Sequence, residues 1–237
     1  MHKKKINPIF RFLRWVAREF TEKTEFISKS EIEPAPFIVT NHTGISAPAM
    51  FIIHYPDNIR TWSHSAFLSV RSAWHHLKTN VLVRRKTKIL YPIAFIFTPV
   101  IVWFYKVMNP IPVYRESKKI LNTFGESVIT KEAEITQVIF PEKLDNNITK
   151  VNDFLFKFNR GFVYSAKYYY EKTGKILKFY PAYSCPSLNK VLIGEPIAYN
   201  PDVPFKIMRE NICEYLENKI YALAKSLPPH EIVLPIQ

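Results

Sequence analysis

At 237 residues the chain fits one domain with a small helical appendage, and 47% hydrophobic against 22% charged residues excludes disorder. A net charge of +13, from 33 Lys+Arg against 20 Asp+Glu, attracts polyanions: nucleic acid, anionic lipid or a phosphorylated small substrate. Two cysteines exclude a disulfide framework or a zinc cage, and five glycines, none in a G-x-x-x-x-G-K-[ST] or G-x-G-x-x-G pattern, exclude the common nucleotide cradles.

The chain opens His-Lys-Lys-Lys and continues with Ile6, Phe10, Leu13, Ala17 and Phe20 at helical spacing, with Arg11, Arg14, Arg18 and Glu19 between them. Residues 1–24 therefore read as a basic amphipathic helix suited to the headgroup plane, its apolar side widened by Phe12 and Trp15. The basic start runs straight into this pattern with no small-residue cleavage site, so no signal peptide is expected. Phe37–Thr40 is a β-prone run ending at Asn41-His42-Thr43-Gly44, and residues 59–66 predict a second strand. From Ile89 to Tyr105 there are seventeen uncharged residues holding Pro92 and Pro99, which predicts a buried or membrane-dipping helical hairpin rather than a span.

Residues 110–115 read as a strand leading to Arg115, residues 117–130 as a helix, and Gln137–Phe140 as a strand closed by Pro141-Glu142. A helix over 161–172 stops at Thr173-Gly174, strands follow at 176–184 and 190–193, and Asp202 is the expected cap of a last helix. This alternation predicts an α/β fold: a single domain over 25–227 with a mixed β-sheet flanked by helices, then an irregular tail, 228–237. Cys185 and Cys213 are expected to be buried thiols, and His75-His76, without acidic or Cys partners, makes a poor metal site.

His42 stands where a strand gives way to a loop, a place where neutral imidazole can act as a general base. It does not stand alone. Asn41-His42-Thr43-Gly44, Ile111-Pro112-Val113-Tyr114-Arg115, Phe140-Pro141-Glu142 and Phe156-Lys157-x-x-Arg160-Gly161-Phe162-x-x-x-Ala166 occur in that order. Phe179-Tyr180-Pro181-Ala182-Tyr183 and Ile193-Gly194-Glu195-Pro196-Ile197 follow. The set resembles the glycerolipid (lysophospholipid) acyltransferase family, over about residues 35–200. The resemblance implies that His42 takes the proton from a lysophospholipid or glycerol-phosphate hydroxyl, which then attacks the thioester of acyl-CoA or acyl carrier protein. Arg115 would hold the acceptor phosphate. Glu142, with Asn41 and Pro141, would shape the acceptor site, and Lys143 would add a cation for phosphate. No metal or cofactor beyond the acyl donor is implied, and the place of work is the cytoplasmic face of a membrane, peripheral or monotopic, in phospholipid synthesis.

Two positions depart from the family pattern. The carboxylate five residues after the histidine is replaced by Ala47, and the glycine of the Phe-Pro-Glu-Gly block by Lys143. In a hydrolase triad the analogous carboxylate is worth about 10⁴ in rate. Ser46, a backbone carbonyl, Glu142 and Asp145 are the groups left to orient His42. Three functions stay open: a divergent acyltransferase, a lipid- or acyl-carrier-binding protein that has kept the pocket without turnover, and a basic nucleic-acid-binding domain. The last is disfavoured by aromatics clustered in long apolar runs and by the lack of any nucleic-acid motif.

Overall fold

Short runs of β-branched and aromatic residues build one sheet of eight strands. The computed structural model describes residues 7–82, 91–114, 119–142 and 150–232. In chain order the strands of this sheet are β1 (Glu25–Ser28), β2 (Phe37–Thr40), β3 (Ile59–His64), β4 (Ile111–Val113) and β5 (Thr136–Ile139), then β8 (Lys178–Cys185), β9 (Lys190–Ile193) and β10 (Ile197–Ala198). A separate hairpin joins β6 (Lys150–Asn152) to β7 (Leu155–Phe156). Across the sheet the order is β1-β9-β8-β2-β5-β3-β4, with β10 antiparallel to the start of β8. β8, β2, β5, β3 and β4 run parallel, and β9 turns antiparallel against β8. The mixed α/β domain expected from the sequence is the fold observed.

Alternation along β2 assigns the two faces. Phe37 and Val39 join one core with residues of α5 (Ile120–Glu132), α6 (Tyr164–Thr173) and α7 (Phe205–Lys225). Ile38 joins a second core with Met50 and Phe51 of α2 (Ser46–His54), Tyr55, and Val138 of β5. β2 is wholly buried because helices cover both faces, as parallel strands require. Gly174 ends α6 in the left-handed conformation (φ 68°), a cost glycine alone avoids. Cys185 and Cys213 are free and buried, and burial pushes the Cys213 thiol up to about 12.

Helix α1 (Pro8–Phe20) is capped by Asn7, whose side chain accepts from the Ile9 N–H at 2.9 Å, with Pro8 at its first position. Two of its three arginines are engaged by the protein itself, while Arg11 is exposed. Arg14 donates to the carbonyls of Ile53 (3.0 Å), Tyr55 and Asp57 (3.1 Å), and Arg18 to those of Ile53 (2.6 Å) and Tyr55 (3.1 Å). Ile53 O, in the last turn of α2, and Tyr55 O, at its C-cap, have no partner within that helix, so these guanidinium groups satisfy them and favour the helix dipole. Burial and the Arg18 charge lower the Arg14 pKa to about 10. With Arg14 and Arg18 spent on these carbonyls, Phe12 (60% exposed), Trp15 (59%) and Phe20 (85%) face outward.

The run expected to form a hairpin is one helix, α4 (Tyr91–Met108). Pro92 occupies the first turn, where no N–H partner is needed. Pro99 removes a single rung, leaving the rest intact. The Thr98 hydroxyl also donates back to Ala94 O at 2.7 Å. Among the described residues α4 is long and apolar enough to cross a membrane, and Phe95, Ile96, Phe97, Val100 and Trp103 are exposed on it. The expected cap Asp202 is also corrected: α7 begins after Pro204, while the Asp202 N–H closes a turn onto Asn200 Oδ1 at 2.9 Å. Residues 228–232 carry no regular structure.

Replacing Arg14 and Arg18 together by Ala leaves the carbonyls of Ile53 and Tyr55, at the end of α2, without their guanidinium donors. The unfolding free energy should fall by about 1–3 kcal/mol in denaturant titrations. A change near zero would show that water satisfies those carbonyls equally well.

Candidate functional site

In open α/β sheets ligands bind beyond the carboxyl ends of the parallel strands. Here that edge carries Asn41-His42 after β2, Phe140-Pro141-Glu142 after β5, His64 as the last residue of β3, and Tyr114 after β4. Val39 pairs with Ile139, so the same register brings His42 level with Glu142. Arg115, Lys143 and Asp145 lie outside the described residues. β4 stands three strands from β2, so roughly 14 Å separates their ends at the usual strand spacing.

Side chains bonded to backbone set the loop after β2. Asn41 is buried, and its amide spans to β8: Nδ2 donates to Ser184 O at 3.1 Å and Oδ1 accepts from Ser184 N–H at 2.7 Å. The Thr40 hydroxyl lies 3.1 Å from Asn41 Oδ1 and 3.0 Å from Ser184 Oγ. Asn41 is thus a positioning residue here, both ends of its amide spent on one backbone unit. Gly44 turns the chain at φ 61°, and Thr43 Oγ1 accepts from the Ala47 N–H at 2.9 Å, supplying a bond that the first turn of α2 lacks.

Glu142 is buried. One of its oxygens accepts from the His42 N–H and the other from the Phe156 N–H at 2.7 Å. Pro141 O accepts from Asn159 N–H at 2.7 Å, and Glu142 bridges to Phe158. The Phe-Pro-Glu block thereby ties the ends of β2 and β5 to the β6–β7 hairpin. Burial pushes the Glu142 carboxyl up to about 7, while the two N–H donors pull the other way.

The His42 ring lies edge-on to Phe140, centroids 5.5 Å apart. Its Nδ1 is buried and has no hydrogen-bond partner among the described residues. Burial lowers the imidazole pKa to about 4, so the ring is neutral at pH 7. Ala47 is fully buried and offers a methyl group where the family has its carboxylate. Glu142, one of the groups considered as a substitute, reaches the backbone N–H of His42 and not the ring. Ser46 is engaged at its N–H by Thr43 O, at 3.2 Å.

The structure thus brings together Asn41, His42, Pro141 and Glu142. Sequence reading had not assigned roles to Phe140, Thr43 and Ser184. Phe140 sits inside a block already singled out, whereas the Ser184 contact joins residues 143 apart in sequence and leaves no local signal. His64, its ring tilted 33° to that of His76 with centroids 4.5 Å apart, also joins this edge. No group of three metal-ligating side chains occurs among the described residues. Comparison with protein-family models, curated proteins and solved structures found no match to this chain.

The two shifted groups oppose each other in pH dependence. His42 titrates at about 4 folded against 6.5 ordinarily, so its contribution is full above 6.5 and lost as pH falls through 4. Glu142 titrates at about 7 folded against 4.5, so its contribution is full below 4.5 and lost as pH rises through 7. The Glu142→Gln variant should therefore gain thermal stability with rising pH over 4 to 6.5 more steeply than wild type, and His42→Gln should lose it over 4.5 to 7. Parallel melting-temperature curves for the three proteins would contradict both shifts.

Proposed function

We propose that this chain acts at a lipid surface as a divergent acyltransferase of the glycerolipid type. The observation that carries the reading is a neutral imidazole, His42, held at the carboxyl edge of a parallel sheet by the Phe-Pro-Glu block. In the reaction a His42 ring nitrogen takes the proton of the acceptor hydroxyl as that oxygen attacks the thioester carbonyl. The C–S bond then breaks, and the imidazolium returns the proton to the leaving thiolate. Nδ1 is buried, so the accepting nitrogen is Nε2, which requires the proton to sit on Nδ1. The family's carboxylate would fix that tautomer and support the cation; Ala47 does neither.

The same unpartnered Nδ1 favours a second reading, a protein that binds lysophospholipid or acyl carrier without turnover. Transfer of a labelled acyl group to lysophospholipid separates them. Under the first reading wild type is active, His42→Ala abolishes transfer with acceptor binding retained, and the rate stays flat from about pH 5.5 to 8, because His42 is already deprotonated. Ala47→Asp, placed in the first turn of α2, should raise the rate by less than about 10⁴ and raise the His42 pKa. Saturable lysophospholipid binding with no transfer from either acyl-CoA or acyl carrier protein decides for the second reading.

Attachment to lipid is supported by the exposed apolar side chains of α1 and α4, two helices in contact with each other. Phe12→Ala with Trp15→Ala removes two exposed rings and leaves the inward arginines in place. Affinity for lipid vesicles should drop at least about tenfold, from the apolar area lost. Unchanged co-sedimentation would remove α1 from the contact.

A further inference from the structure

Between Asp57 and Glu116 the chain contains no acidic residue, while Lys or Arg occurs nine times. This stretch includes α3 (Val70–His76) and the exposed apolar helix α4. On α3 and the π-helical turn after it, Arg71, Trp74, His75 and Lys78 follow at spacings of three, one and three, which puts them on one side of the helix. With Ser69 and Ser72 they line a depression of about 520 Å³. None of these six residues belongs to the His42 site. Arg71, His75 and Lys78 are exposed, and among the described residues no carboxylate lines the depression. Trp74 meets α4 edge-to-face, its ring 5.2 Å from Phe95 and 6.1 Å from Tyr91. The depression therefore opens beside the exposed apolar face of α4, where Arg71, Lys78, the His75 ring and an amphipathic indole stand at its border.

We infer that this depression is a binding site for the phosphate of an anionic lipid headgroup, engaged while the apolar face of α4 lies in the adjoining acyl region. Arg71 supplies forked donors to phosphate oxygens, Lys78 a mobile point charge, and the Ser69 and Ser72 hydroxyls neutral hydrogen bonds. A headgroup suits the place better than a free phosphate compound, because the same border carries a continuous apolar surface that a soluble ligand would leave in water. The inference rests on the lipid-surface reading above and needs no turnover.

The test is binding of the full chain to vesicles of phosphatidylcholine alone and of phosphatidylcholine with phosphatidylglycerol, a phosphodiester lipid that is not an acyl acceptor of the proposed kind. Arg71→Gln with Lys78→Gln should lower affinity for the phosphatidylglycerol vesicles about thirtyfold and leave phosphatidylcholine binding unchanged. The matched pair Lys172→Gln with Lys206→Gln, an equal charge change on α6 and α7, should lower it by no more than about threefold. Equal losses for the two pairs would reduce the effect to diffuse attraction by the basic chain and overturn the site. A His75 ring resonance that saturates with glycerol 3-phosphate, together with equal binding to both vesicle types, would make it a soluble-phosphate site and overturn the headgroup assignment. A chain that binds these vesicles through Arg71 and Lys78 and transfers no acyl group supports this inference and removes only the transferase reading.

Discussion

A buried carboxylate with two backbone N–H donors holds the functional edge of this protein together. Glu142 connects the His42 loop to the β6–β7 hairpin, and no cation among the described residues offsets its charge. The arrangement puts the free energy of ionising Glu142 in competition with two hydrogen bonds that join three segments of chain. His42 is positioned through its backbone by this group and through Asn41 by β8, so the imidazole's location is firmly set. Its electronic state is another matter: the ring meets an aromatic edge and a methyl-lined interior and has no partner for Nδ1. The site thus fixes where the ring lies and leaves its Nδ1 without a partner among the described residues.

Two buried clusters elsewhere are densely hydrogen-bonded. Arg60, almost wholly buried, donates to Asn109 O (2.7 Å), Thr130 Oγ1 (2.6 Å) and Glu126 (3.0 Å), clamping β3 to α5 and to the chain entering β4. Gln137 takes up the Trp62 indole N–H (3.1 Å) and the Ser127 hydroxyl (2.7 Å), and returns a bond to Ser127 O (2.8 Å). Each buried donor in these two clusters finds an acceptor, which fixes the strand ends rigidly. The His42 Nδ1, by contrast, is one of four buried side-chain atoms without a partner among the described residues, with Ser30 Oγ, Thr136 Oγ1 and Arg209 Nε, and the one ring nitrogen among them.

Much of the sheet was legible because its strands obey simple patterns. Phe37–Thr40, Thr136–Ile139 and Lys190–Ile193 are short apolar or β-branched runs between turn residues, and the Thr173-Gly174 stop gave the end of α6. β1 was not, since Glu25–Ser28 has too few apolar residues to declare itself and is recruited by pairing with β9. α4 was misjudged because prolines were weighed as breakers without regard to position: one lies where a helix needs no N–H, and the other interrupts a ladder long enough to tolerate it. The candidate site was readable as far as Asn41, His42, Pro141 and Glu142, which sit in local motifs. What those residues bond to was not, because Ser184 and Phe156 arrive from distant segments.

The inward arginines of α1 have a mechanical consequence. A detachable amphipathic anchor hangs on a flexible joint and lets its domain tumble over the surface it grips. Here Arg14 and Arg18 bolt the helix to the end of α2 through four hydrogen bonds and to the turn after it through a fifth, at Asp57 O, and α2 in turn abuts the loop that carries His42. The outward rings therefore behave as a keel and not as a tether. Whatever surface receives Phe12, Trp15 and Phe20 meets the domain at one fixed tilt. The approach angle of the His42 edge is set by packing inside the protein rather than by a hinge.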